Sequence, residues 1–148
     1  MIVRPLDILN IRFFEFARRA SYKSDYRNGK RSAPAIGAVA VYKGSIIGQA
    51  SNSNKTSPLQ AKYNIYRFNR PDLPSKNHAE TALLQSIRFK YGNNLDWSRV
   101  EIYLYRELKD GTVAMSRPCP SCFHMLRDYG IKKVYYTTDQ GFAMEELW

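Results

Sequence analysis

With 148 residues, 44% of them hydrophobic and 14% aromatic, the chain can bury the core of one domain and is too apolar to be disordered. Its 23 Lys and Arg against 13 Asp and Glu give a formal charge of +10. Such an excess favours phosphate-bearing partners, nucleotides or nucleic acid, and is equally compatible with a plain solvated basic surface.

The first element expected is a helix from Leu6 to about Ala20, with Leu6, Leu9, Phe13, Phe16 and Ala17 at helical spacing and Arg12, Arg18 and Arg19 elsewhere. A polar stretch, "SYKSDYRNGKRSAP", breaks that pattern. "AIGAVAVYKGSIIGQAS" then reads as two strands turning at Lys43-Gly44. Residues 52–76 read as a long loop, polar, aromatic and marked by prolines, of the kind that is usually functional or disordered. A second helix is expected from Asn77 to Tyr91, burying Ala82, Leu83, Ile87 and Phe89. "RVEIYLYRE" is a third strand, followed by a turn and return stretch, "LKDGTVAMS". "PCPSCFHMLRDYG" is a helix opened by prolines and closed by Gly130. "IKKVYYTT" makes a fourth strand, and "GFAMEELW" a short terminal helix at most, leaving little room for a fifth strand. In Tyr103, Tyr105, Tyr135 and Tyr136 the alternation of a strand is visible, so these are core and sheet residues. No repeat or linker divides residues 1–148, and the order of elements describes a three-layer α/β/α sandwich on a mixed sheet of four or five strands.

Two of these helices open on unusual chemistry. His78, one of only two histidines, stands two residues before Glu80 at the mouth of its helix. Along a running helix such a pair would point apart, but the opening residue need not have helical dihedrals, and the two side chains can converge in front of it. Cys119 and Cys122 open the other helix as C-x-x-C, the spacing that puts two thiols on one face, where the helix start favours thiolate. One imidazole and two thiolates supply three ligands for one zinc ion, leaving the fourth tetrahedral position for water. Zinc lowers the pKa of bound water to about 7, and Glu80 can then take and return its proton.

"HAE" followed by "PCPSC" resembles the zinc signature of the cytidine deaminase superfamily, H-x-E and then P-C-x-x-C. "RELKDGTVAMSRPCPSC" with "YGIKKVYYTT" is similar to its branch of deoxycytidylate-type and phage-encoded deaminases, and the likeness in element order runs over nearly the whole chain. The resemblance implies zinc on His78, Cys119 and Cys122, with Glu80 as proton shuttle. It implies hydrolysis of the exocyclic amine of a nucleobase, cytosine in preference to adenine. An asparagine past the second strand is expected to hold the sugar, Asn52 with Asn54 as the alternative. Ala79, between the two motif side chains, is a further expected substrate contact. Tyr66 and Arg67, with Tyr63 and Phe68, lie in the long loop, where they could stack on a base or simply pin the loop to the core.

The charge and that loop lean toward single-stranded DNA or RNA as substrate; a free nucleoside or nucleotide is the alternative. "CPSC" alone would also suit a thiol redox protein, though "HAE" would then be idle, and an inactive nucleic-acid-binding relative is a third reading. His124, two residues past Cys122, faces away from the thiols and reads as packing or surface. Lys30-Arg31 and Lys132-Lys133 read as solvated charge. No apolar run approaches the ~20 residues of a membrane-spanning helix, the N-terminal stretch lacks a secretory leader pattern, and the two cysteines are too close to staple distant segments. The expectation is a soluble cytoplasmic enzyme.

Overall fold

The computed structural model describes residues 8–26, 34–67 and 76–147. Leu6, Lys30, Arg31 and Phe68 lie outside the described residues. Helix α1 (Ile8–Ser21) is followed by strands β1 (Ile36–Tyr42) and β2 (Ser45–Ser51), a short helix α2 (Pro58–Tyr63), and helix α3 (Ala79–Tyr91). Strand β3 (Val100–Arg106), helix α4 (Pro120–Asp128) and strands β4 (Lys133–Thr138) and β5 (Gly141–Glu146) complete the order.

The five strands form one mixed sheet in the order β2-β1-β3-β4-β5. Only β3 and β4 run parallel, and a parallel pair needs a crossover, which α4 supplies. The period of two decides the layers. From β1, Ala38 and Ala40 face the core under α3 and α4, joined by Ile102 and Leu104 of β3 and Val134 and Tyr136 of β4. Their neighbours Val39, Val41, Tyr103, Tyr105 and Tyr135 face Phe13, Phe14 and Ala17 of α1 on the other side. Each large apolar side chain so buried stabilises the fold by about 1.5–3 kcal/mol. Helix, sheet and helices stack as the expected three-layer sandwich.

At Lys43-Gly44 both residues have positive φ, 52° and 78°, the conformation of a two-residue hairpin turn that matches strand twist. Gly37 is required for a different reason. A Cβ there would lie 1.9 Å from the Ala17 carbonyl oxygen and 2.4 Å from the Ser21 nitrogen, so α1 reaches β1 only over a bare backbone.

Three expectations need correction. "GFAMEE" is strand β5, antiparallel to β4, not a terminal helix. Its side chains alternate between layers, Ala143 to one core and Phe142 and Met144 to the other, a pattern that a single helical turn could not satisfy. The segment 52–76 is not all loop: Ser57 caps α2 by accepting from the Gln60 N–H, Pro58 occupies the first turn, and a 3-10 turn Asn64–Tyr66 follows. Phe89 is 95% exposed, because the buried stripe of α3 runs through Ala79, Leu83, Leu84 and Ile87, and Phe89 lies over half a turn round from Ile87.

Candidate active site

Helices α3 and α4 are built alike at their openings. His78 is the N-cap of α3 with φ −77° and ψ 160°, and Cys119 is the N-cap of α4 with φ −72° and ψ 167°. Both backbones are extended there, and neither side chain caps its own helix. That freedom lets each aim forward. It also lets His78 and Glu80 serve one point although they are two residues apart.

The His78 Nδ1 lies 3.3 Å from the Cys122 Sγ and 3.6 Å from the Cys119 Sγ. All three donor atoms lie within 4.8 Å of one another. A tetrahedral zinc with bonds of about 2.0–2.1 Å to nitrogen and 2.3 Å to sulfur separates nitrogen from sulfur by about 3.6 Å. The donor set and its spacing fit one zinc ion, and these three residues are positioned to bind it.

The electrostatics of the donors agree. Cys119 is drawn toward thiolate, first by the thiol of Cys122 beside it, against the cost of burial, and then by His78. Cys122 is pushed well up by that same hydrogen bond, by burial and by the charge of Glu80. Two sulfurs so close cannot both ionise unless a cation joins them. Burial opposes the imidazolium of His78, but the Cys119 sulfur and the Glu80 carboxylate outweigh it and raise its pKa. Burial also raises the Glu80 carboxyl, with the His78 charge acting against it. A raised carboxyl suits proton transfer near neutrality.

His78, Glu80 and Cys119 line a cleft of about 540 Å³ together with Ala79, Asn52 and Arg67, and Cys122 lies behind them. Cys122 is buried at 1% exposure and Glu80 at 5%. Asn52 stands in the wall with its amide engaged: Oδ1 accepts from the Ile36 N–H at 3.0 Å and the Ser24 hydroxyl at 2.7 Å, while Nδ2 donates to the Pro34 carbonyl. Asn54 is exposed and lies outside the lining, its backbone N–H donating to Asp25. Tyr66 also lies outside it, its ring stacked on His124 at 3.7 Å between centroids and 10° between planes. His124 is thus a packing residue, its ring held against Tyr66. Tyr63 is buried and donates to Asp128 at 2.7 Å, tying α2 to α4. Lys132 and Lys133 are exposed.

Several residues of the site carry no sequence signal of their own. Lys76, Asn77, Ser116 and Arg117 line the cleft. Arg117 is fixed by Glu145 of β5, through Nε at 2.8 Å and Nη2 at 3.3 Å. The Ser121 hydroxyl lies 3.0 Å from the Cys119 sulfur, inside the C-x-x-C spacer. Gln60, in the stretch expected to be loop, reaches His78 from α2. Among the described residues no helix is long and apolar enough to cross a membrane.

Comparison with known proteins gives the same picture. The family described as the cytidine and deoxycytidylate deaminase zinc-binding region matches residues 12–138. Among solved structures, the dCMP deaminase of the cyanophage S-TIM5 in apo form is similar at 24% identity and a TM-score of 0.57, over 90% of this chain and 86% of that one. The same cyanophage enzyme in complex with dCMP and dUMP is similar at 22% identity and a TM-score of 0.57, over 91% and 85% of the two chains. A cytidine deaminase from Burkholderia pseudomallei is similar at 19% identity and a TM-score of 0.61, over 93% and 91%. At these identities the likeness establishes the fold. No curated protein matches the chain. The family match extends from α1 to the end of β4, and the chain belongs to the zinc-binding cytidine and deoxycytidylate deaminases, hydrolytic enzymes that act on a nucleoside or nucleotide.

Proposed function

We propose that the substrate is a free cytosine mononucleotide, converted to the uracil nucleotide with loss of ammonia. The observation that carries this reading is the charge of the cleft. Arg67, Lys76 and Arg117 line it together with a single acid, Glu80, which sits at the floor. With Arg117 balanced by Glu145, Arg67 and Lys76 supply the positive charge that suits one phosphate group. The volume of about 540 Å³ suits one nucleotide. The cyanophage structure solved with dCMP and dUMP, on the same fold, supports the choice. Single-stranded nucleic acid, which the overall charge favours, has less support from the site, because the ring of Tyr66 is already stacked within the protein.

Bound zinc would supply a water acidified toward neutrality. The chain's own residues do the rest. His78, Cys119 and Cys122 would hold the ion. Glu80 takes the proton of the attacking water as its oxygen bonds to C4 of the ring, and passes it to the adjacent ring nitrogen. The second proton goes by the same carboxylate to the amine, the carbon–nitrogen bond breaks, and ammonia leaves. Asn52 and Ala79, both in the lining of the cleft, would contact sugar and base, and Arg67 would meet the phosphate.

The test is a substrate panel: deoxycytidylate, deoxycytidine, deoxyadenylate and a cytosine-containing single strand, each followed by mass spectrometry for exchange of amine for carbonyl. Deoxycytidylate should be turned over with the highest kcat/KM. Arg67→Ala should raise its KM about ten- to hundredfold, the loss of one charged hydrogen bond, and leave deoxycytidine unchanged. Turnover of the oligonucleotide alone, falling steeply with salt, would overturn the mononucleotide reading and favour a strand.

A further inference from the structure

Helix α3 begins without a cap of its own, since the His78 ring points at the thiols. Its first turn nonetheless has a partner. Gln60 of α2 is 1% exposed, and its Oε1 accepts from the His78 backbone N–H at 3.1 Å and from the Thr81 hydroxyl at 2.6 Å. The Gln60 Nε2 donates to Asn64 Oδ1 at 2.9 Å, which fixes which end of the amide faces the helix. One buried oxygen therefore spans His78 and Thr81, the residues on either side of Ala79 and Glu80.

We propose that Gln60 is a positioning residue for the metal site, a cap lent by α2 that sets the angle at which His78 and Glu80 leave the start of α3. The physical reason is a shortage. The first-turn N–H groups of a helix need acceptors, and an N-cap side chain normally provides one. The His78 N–H at the cap position is such an orphan donor, one that its own side chain cannot serve, and its acceptor comes from the buried Gln60 amide of α2. A remote carbonyl oxygen at fixed distance from the His78 nitrogen restricts rotation about the His78 backbone, and the imidazole is aimed by that backbone. Partners that orient a ligand in this way typically change metal affinity about 10- to 100-fold.

The inference rests on His78 being a ligand, and the experiment separates the two claims. Zinc affinity is measured on the full chain by competition with a chromogenic chelator, and site geometry by the absorption spectrum of the cobalt(II)-substituted protein. Gln60→Leu, which keeps the volume and removes the acceptor, should weaken zinc about 10- to 100-fold and shift the cobalt bands. Tyr63→Phe removes the tie of α2 to Asp128 of α4 and touches no bond of Gln60, so it should lower Tm while leaving zinc affinity and cobalt spectrum as in the parent. His78→Ala is the reference and should abolish tight zinc binding. Should Gln60→Leu fail to fold, Gln60→Asn, with a buried amide one methylene short of His78, reads the same loss.

A parent-like zinc affinity and cobalt spectrum in the Gln60 variants, with His78→Ala defective, would overturn the positioning role alone. An equal loss of zinc in Tyr63→Phe would also overturn it, because general loosening of α2 would then be sufficient. Retention of zinc by His78→Ala would overturn the metal-site assignment beneath it.

Discussion

Glu80 is buried to 5% exposure beside three groups that are positioned for a metal, and its carboxyl is raised by that burial. A carboxyl in such a place is an expensive choice unless it moves protons. Replacing it with glutamine keeps the size and hydrogen-bonding capacity but removes the basic oxygen. Glu80→Gln should therefore lower kcat by about 10²- to 10⁴-fold, with one zinc per chain still found by metal analysis. Loss of zinc together with activity would instead make Glu80 a structural partner of Cys122, the thiol whose pKa it raises. What could be read of the site in the sequence divides at this scale. His78, Glu80, Cys119 and Cys122 are legible because their spacing of two and three residues is itself the geometry: a helix start converts it directly into convergence. Gln60 is 18 and 21 residues from the groups it touches, so no local pattern announces it. Arg117 stands two residues before Cys119, yet its orientation depends on Glu145, 28 residues on.

Among the elements, α1 is the one held closest to the sheet. The contact is made over Gly37, where an added Cβ would meet two backbone atoms of α1, at 1.9 and 2.4 Å. Backbone cannot rotate away as a side chain can. Gly37→Ala should therefore destabilise the fold by about 1–3 kcal/mol or more, read as a lower urea midpoint. Gly44→Ala is the contrast, since nothing lies within 4 Å of its position and only the positive φ of 78° resists the change. The elements whose identity escaped a sequence reading failed for physical reasons. "AMEEL" favours a helix locally, but the edge of β4 offers a ladder of six paired residues to Gly141–Glu146, and pairing wins over propensity. Helix α2 has six residues, too few for a helical period to show, and Ser57-Pro58 is the only signal of its start. By contrast α3, α4 and the hairpin at Lys43-Gly44 carried both period and punctuation.

For the whole molecule, buried tyrosine hydroxyls recur in pairs with carboxylates, within the sheet and within a helical layer. The Tyr136 hydroxyl donates to Glu145 at 2.6 Å, the Tyr105 hydroxyl to Glu107 at 2.7 Å, and Tyr63 to Asp128. Burial first, and then the acceptor carboxylate, raises all three tyrosines, Tyr136 to about 12. An unfolded tyrosine titrates near 10, so the unfolded chain releases these protons first as pH rises. The stability they contribute is complete below about pH 10 and is lost as pH climbs through the folded values. Urea midpoints measured from pH 8 to 12 should fall most above 10, and Tyr136→Phe, which has no proton to lose, should flatten part of that decline. An unchanged slope in Tyr136→Phe would show that other groups govern alkaline unfolding.

The pairing of Arg117 with Glu145 has one more consequence. Every motif residue lies before the last strand, yet a guanidinium at the rim of the cleft is moored to that strand. The tail of the chain therefore takes part in the mouth of the enzyme. A fragment ending at Thr138 would keep the whole catalytic signature and lose the tether that holds one of its three cations in place.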